Sequence, residues 1–149
     1  MTALKTASAA GARATSLATG SASAQTTSSI RLMAVLTTAD PETQFMALTL
    51  LKSSGVDPRQ IRILLCGPGG DLGLKLPAEA SPPTFGPASR TARALLAELD
   101  EQGATIEVCA IYLPARRSDR SILMDSIGVA SPIDIGPILA DPAVRVLTF

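Results

Sequence analysis

The chain has 149 residues, enough for one domain, and 46% of it is apolar, so composition permits a well-packed core built from Leu, Ile, Val and Ala because aromatics make up only 3%. Its 13 basic and 13 acidic residues cancel, which removes any global field toward nucleic acid or an acidic membrane, and no apolar run approaches the length of a membrane span. Histidine is absent, excluding Ser-His and Cys-His catalysis and His-based metal sites, and two cysteines, Cys66 and Cys109, make neither a four-cysteine zinc site nor a disulfide-rich framework.

Residues 1–29 are Ala, Ser, Thr and Gly with Lys5 and Arg13 and no acidic residue, and they read as a disordered extension to a domain at 30–149. Their basic, Ser-rich composition is also that of transit peptides. Ser21-Ala-Ser-Ala24 looks like a cleavage site, but the stretch before it is too broken by Gly, Ser, Thr and Arg for a signal h-region. A plain tail or an overextended start is the preferred reading.

Ile30 to Leu36 is nearly all apolar, as a strand covered on both faces should be. Asp40 then suits a helix N-cap, Pro41 the first helical position, and Glu42 the positive end of the helix dipole. Phe45, Leu48 and Leu51, with Met46 and Leu50 alongside, give the helix an apolar side, and Gly55 closes it. Ile61 to Cys66 is the second strand, making a βαβ unit with a parallel pair. Gly67-Pro-Gly-Gly-Asp-Leu-Gly73 lacks a Gly-Lys-Ser/Thr ending and the dinucleotide spacing, so it reads as a flexible loop rather than a phosphate cradle. Leu74 to Phe85, rich in Pro and Ala, reads as a loop able to serve as a lid or partner surface.

Gly86-Pro-Ala-Ser is expected to open the next helix. Ala92, Leu95, Leu96 and Leu99 share one face of it, and Gly103 ends it. Thr105-Ile-Glu-Val-Cys-Ala-Ile-Tyr-Leu-Pro114 is the next strand, stopped by Pro114, with Cys109 toward its carboxyl end. Ser118 to Asp125 suits a short helix capped by Ser118 or Asp119, and Gly128 to Ser131 a brief strand. A helix beginning near Asp134 carries Ile135, Ile138 and Leu139, with Pro137 tolerable only in its first turn. Val144 to Phe149 is the last strand. About five strands alternating with helices imply a three-layer α/β/α sandwich around a mostly parallel sheet; strand order cannot be read from the pattern.

The chemistry-bearing stretch is the one around Cys109. In open α/β sheets ligands gather at the carboxyl ends of strands, and a thiol near fixed positive charge favours thiolate. Arg116 and Arg117 follow within one short loop, and Tyr112 lies between. From position alone a buried strand cysteine acting as a small hydrophobe is the commoner case. The arginines equally suit a solvated turn, and Tyr112 a core or interface ring.

The ordered set of elements from Ile30 to Phe149 resembles the DsrE-like family of sulfur-relay proteins, which includes the DsrE and TusD subunits. The similarity is carried by a strand ending in Val-Cys, the Arg pair, Ile127-Gly-Val-Ala-Ser131, an Ile/Leu helix and the closing Val-Leu-Thr-Phe149; Val35-Leu-Thr-Thr-Ala-Asp-Pro-Glu42 also looks like the family's first βα junction. This resemblance implies that Cys109 matches the cysteine that carries a persulfide in active members, which pass sulfane sulfur between protein partners and work in homo- or hetero-oligomers. Some relatives have a second cysteine three residues later, where this chain has Tyr112.

The expectation is therefore a carrier that takes sulfur on Cys109. Arg116, Arg117, backbone N–H groups at the start of the Ser118 helix and the Tyr112 hydroxyl would steady the anionic persulfide. No cofactor, metal, nucleic acid or membrane is expected, and thiol chemistry without a clear export signal points to the cytoplasm. The alternative is a non-catalytic assembly or binding subunit of the same fold. A Cys66–Cys109 redox pair is a third option, for which nothing in the sequence fixes the distance; otherwise Cys66 is read as buried and structural.

Overall fold

The computed structural model describes residues 30–77 and 80–149, so the extension expected at 1–29 lies outside the described residues. In chain order the elements are β1 (Leu32–Leu36), α1 (Pro41–Lys52), β2 (Ile61–Leu65), α2 (Ala92–Glu101), β3 (Thr105–Val108), α3 (Tyr112–Ala115), β4 (Gly128–Val129), α4 (Pro132–Ala140) and β5 (Arg145–Thr148). The strands form one sheet in the order β4-β3-β2-β1-β5, parallel at every pairing, with helices on both faces. This is the α/β sandwich expected from the alternation of elements.

Side-chain alternation divides the chain's apolar residues between the two faces. Leu32, Ala34 and Leu36 of β1, Ile61, Ile63 and Leu65 of β2, and Ile106 and Val108 of β3 join the main core under α1 and α2. Met33 and Leu64 point the other way, into a much smaller cluster with Ala130 and Ile135, packed by Val35, Cys66, Cys109, Ile138 and Val144. One face is thus thickly covered and the other is covered mainly by α4. The Arg62–Glu107 ion pair lies on the thin face, with Nε donating to Oε2 over 2.8 Å, and Gly128 beside Glu107 leaves room for that side chain.

The caps explain where the helices start. Asp40 accepts from the Thr43 N–H at 2.7 Å, with Pro41 directly after it, as the sequence suggests. Ala47, Leu48 and Leu51 of α1 are buried with Gln44, whereas Met46 and Leu50 are exposed and Phe45 packs on Phe85 at 5.0 Å between ring centroids. The second long helix starts later than its Gly-Pro-Ala-Ser prelude suggests. Gly86 and Ser89 have φ of 70° and 49°, left-handed values that an α-helix does not absorb, and Phe85 and Arg90 pair across that turn. Thr91 is the N-cap instead, accepting from the Ala94 N–H at 3.0 Å. Ala92, Leu95, Leu96 and Leu99 are buried as their spacing predicts, and Glu98 ties α2 to Lys52 of α1 and to Arg90.

Pro137 corrects another expectation: it lies inside α4, beyond the first turn. The carbonyl its missing N–H would have bonded belongs to Ile133, which is 81% exposed, so water can serve that group on a helix anchored mainly through Ile135.

Candidate functional site

Cys66 and Cys109 each follow directly on a strand, and each is still held by the ladder. The Cys66 N–H donates to Leu36 O at 2.8 Å, and the Cys109 N–H donates to Leu65 O at 2.9 Å. The register pairs Leu65 with Val108, so one step on, Cys66 and Cys109 are neighbours at the carboxyl ends of β2 and β3. Alternation turns both side chains to the thin face, where they are partly exposed. They form a disulfide, with Cα atoms 5.1 Å apart. The sequence left this distance open because strand order was unknown. The signal was nonetheless present: sequential strands of a βαβ unit are usually adjacent, and each cysteine stands one residue past an apolar run.

The two sulfurs differ in what surrounds them. Cys109 lines an open cavity of about 240 Å³ together with Leu64, Ala110, Ile111, Ala130, Pro132 and Ile135. Cys66 is not part of that wall. The lining side chains are apolar, so the opening favours an alkyl or aryl group, or the apolar tip of a partner, over a highly charged donor. Composition did not reveal this pocket, because its walls come from β2, the turn after β3 and the start of α4. A second cavity of about 220 Å³ opens near the end of β1, between Ala39, Gln44, Asp71 and Arg93, and contains neither cysteine.

The backbone after Cys109 departs from the expected one. The strand ends at Val108, and Tyr112 to Ala115 form a turn of helix that includes Pro114. Pro114 is therefore no strand stop. It falls in a first turn, where its missing N–H would have had no intrahelical acceptor. The helix expected at Ser118 is replaced by a 3-10 turn, Arg120–Ile122, whose Ser121 N–H is taken by Asp119 at 2.8 Å. Among the described residues the N–H groups of Ala110 and Ile111, immediately after Cys109, have no backbone acceptor.

Tyr112 and Arg116 meet at Asp71. The Tyr112 hydroxyl donates to Asp71 Oδ1 at 2.7 Å and Arg116 Nη2 donates to the same oxygen at 2.8 Å. The guanidinium also lies 3.9 Å from the centre of the Tyr112 ring and donates to Gly67 O at 3.4 Å. Burial, then the bond to Asp71, push the Tyr112 phenol well above its ordinary range. The glycine-rich stretch expected to be flexible is wound into 3-10 turns and packed by this cluster. Gly69 abuts the Leu36 carbonyl and Gly70 the face of Tyr112, so a Cβ at either position would collide. Arg117 is exposed, has a left-handed φ of 51°, and makes no side-chain hydrogen bond or ion pair among the described residues. The fold thus assembles Tyr112 and Arg116 into a clamp on the turn after Cys66 and leaves Arg117 outside it.

No protein-family model matches the chain, and no curated protein matches it. Solved structures do match, two of them as follows. The crystal structure of the ychN protein from E. coli is 20% identical, covers 80% of this chain and 98% of its own, and superposes with a TM-score of 0.60. The protein of unknown function MTH1491 from Methanobacterium thermoautotrophicum is 14% identical, covers 79% and 96%, and superposes with a TM-score of 0.53. These likenesses establish a DsrE/YchN-like fold. Among the described residues no helix is long and apolar enough to cross a membrane.

Proposed function

We propose that this chain is a sulfur-relay protein in which reduced Cys109 accepts sulfane sulfur as a persulfide and hands it to a protein partner. The observation that carries the reading is that Cys109 stands at the carboxyl rim of the parallel sheet and lines an open pocket. In the disulfide form Cys109 has no free thiol, so the carrier is the dithiol form, which a reducing compartment such as the cytoplasm would maintain. The Cys109 thiolate attacks the outer sulfur of a donor persulfide. A new S–S bond forms on Cys109, the donor's S–S bond breaks, and the donor leaves as a thiolate.

The N–H groups of Ala110 and Ile111 face no competing backbone acceptor and are suited to steadying the anionic outer sulfur. Tyr112 and Arg116 serve the site by holding the turn after Cys66, and the exposed Arg117, which has no side-chain partner among the described residues, supplies a cation for a donor or acceptor protein. The test is intact mass of the reduced protein after incubation with a sulfane-sulfur donor. Early after mixing, one added sulfur on the wild type and none on Cys109→Ser is expected; equal loading of both removes the proposal.

The second reading, a non-catalytic oligomeric subunit, is favoured by a different observation. Ile111 and Ile133 are 76% and 81% exposed, and Leu139 also faces outward, giving the thinly covered side an apolar surface suited to another subunit. Sedimentation separates this reading from a monomer: Ile133→Glu should dissociate any assembly built on that face, and an unchanged oligomer would place the interface elsewhere.

A further inference from the structure

We infer that Cys66 is a resolving thiol that discharges the Cys109 persulfide as sulfide, which gives the chain a dithiol-dependent persulfide-reducing activity. The inference rests on the relay reading and adds a second reacting group to it. Three observations carry it. The register of β2 and β3 makes Cys66 and Cys109 neighbours, with Cα atoms 5.1 Å apart, inside the range that a disulfide spans without backbone movement. Both side chains leave the sheet on the same face, so the approach is set by the strands rather than by mobile loops. Of the two cysteines only Cys109 lines the cavity, which fixes the order of events: a donor entering there meets Cys109 first, and Cys66, outside that wall, acts second.

The chemistry balances in two steps. The Cys109 thiolate takes the outer sulfur of a donor persulfide and releases the donor thiolate. The Cys66 thiolate then attacks the inner sulfur, Cys109 Sγ. The Cys66–Cys109 bond forms, the bond from Cys109 to the outer sulfur breaks, and that sulfur takes a proton from water and departs as hydrosulfide with the electron pair. The sulfane sulfur is reduced by two electrons and the protein dithiol is oxidised to the disulfide found in the structure. A dithiol reductant resets the pair. The persulfide therefore lives only until Cys66 reaches it, and an acceptor protein must capture the sulfur before then. The clamp of Tyr112, Arg116 and Asp71 on the turn that begins at Gly67 restrains the backbone next to Cys66 and so bears on that interval.

The experiment uses full-length protein, reduced, freed of reductant, loaded with a small alkyl hydropersulfide suited to the apolar cavity and rapidly desalted, followed in time by intact mass and by assay of released sulfide. The wild type should gain one sulfur and then lose it at least about tenfold faster than Cys66→Ser, because a thiol held in place acts at high effective concentration. Each discharge should yield one sulfide and one disulfide, and Cys66→Ala should retain its sulfur as Cys66→Ser does. If the wild type keeps its sulfur as long as both variants, the resolving role is wrong while the relay reading stands. If none of the three gains sulfur at Cys109, both fall together.

Discussion

Opening the Cys66–Cys109 bond removes a cross-link between residues 43 apart in sequence. In the chain-entropy treatment, closing a loop of that length restricts the unfolded chain by about 4 kcal/mol at 25 °C. Measured disulfides commonly contribute less than this ceiling, so the expected loss on reduction is about 2–4 kcal/mol. For a domain of this size, with a urea dependence of about 1.5 kcal/mol per molar, the unfolding midpoint should fall by about 1.3–2.7 M. The assay is urea unfolding followed by far-ultraviolet circular dichroism, with and without a dithiol reductant, using alkylation and mass to verify the thiol state. Cys66→Ser should unfold like reduced wild type in both buffers. The reduced protein should remain folded in the absence of urea, because the core beneath α1 and α2 does not involve the cysteines. Equal midpoints for the two forms, with the thiols shown to be free, would refute the loop-closure argument.

Other consequences can be measured separately. Tyr112 is the sole tyrosine and tryptophan is absent, so alkaline absorbance reports one phenol. Its folded pKa is raised, hence its contribution to stability is complete below the ordinary tyrosine pKa of about 10 and is lost as pH rises through the folded value. Tyrosinate absorbance should therefore appear with unfolding, and a reversible titration of the folded protein near pH 10 would contradict the burial argument. Thr91→Ala deletes the α2 cap and should cost about 1 kcal/mol in urea unfolding; no loss would mean the 3.0 Å bond to Ala94 is replaceable. Ala130→Leu places extra bulk in the cavity wall and should slow alkylation of reduced Cys109 several-fold, whereas unchanged kinetics would mean reagents reach that sulfur by another route.

Apolar runs and caps made most of the elements legible, since Asp40-Pro41-Glu42 and the Ala92-Leu95-Leu96-Leu99 face behave locally as their chemistry requires. What stayed hidden depends on neighbours distant in sequence. Gly67 to Gly73 looks like a loop until Tyr112 packs on Gly70 and shares Asp71 with Arg116. Pro114 and Pro137 look like breakers, yet the first falls in a helix's opening turn and the second on a helix side turned to water. Cys109 is singled out in the sequence by its place at the end of an apolar run. Its partnership with Cys66 depends on strand order, which local patterns do not contain.

The most direct test of Cys109 as the sulfur-bearing atom uses reduced Cys66→Ser protein, in which no resolving thiol competes. After exposure to a sulfane-sulfur donor, the protein is trapped with an alkylating reagent, digested, and mapped by mass. A persulfide adduct on the Cys109 peptide is the predicted result. A Cys109 peptide alkylated only as the simple thiol, under conditions where a known persulfide-forming protein is loaded, would contradict the account.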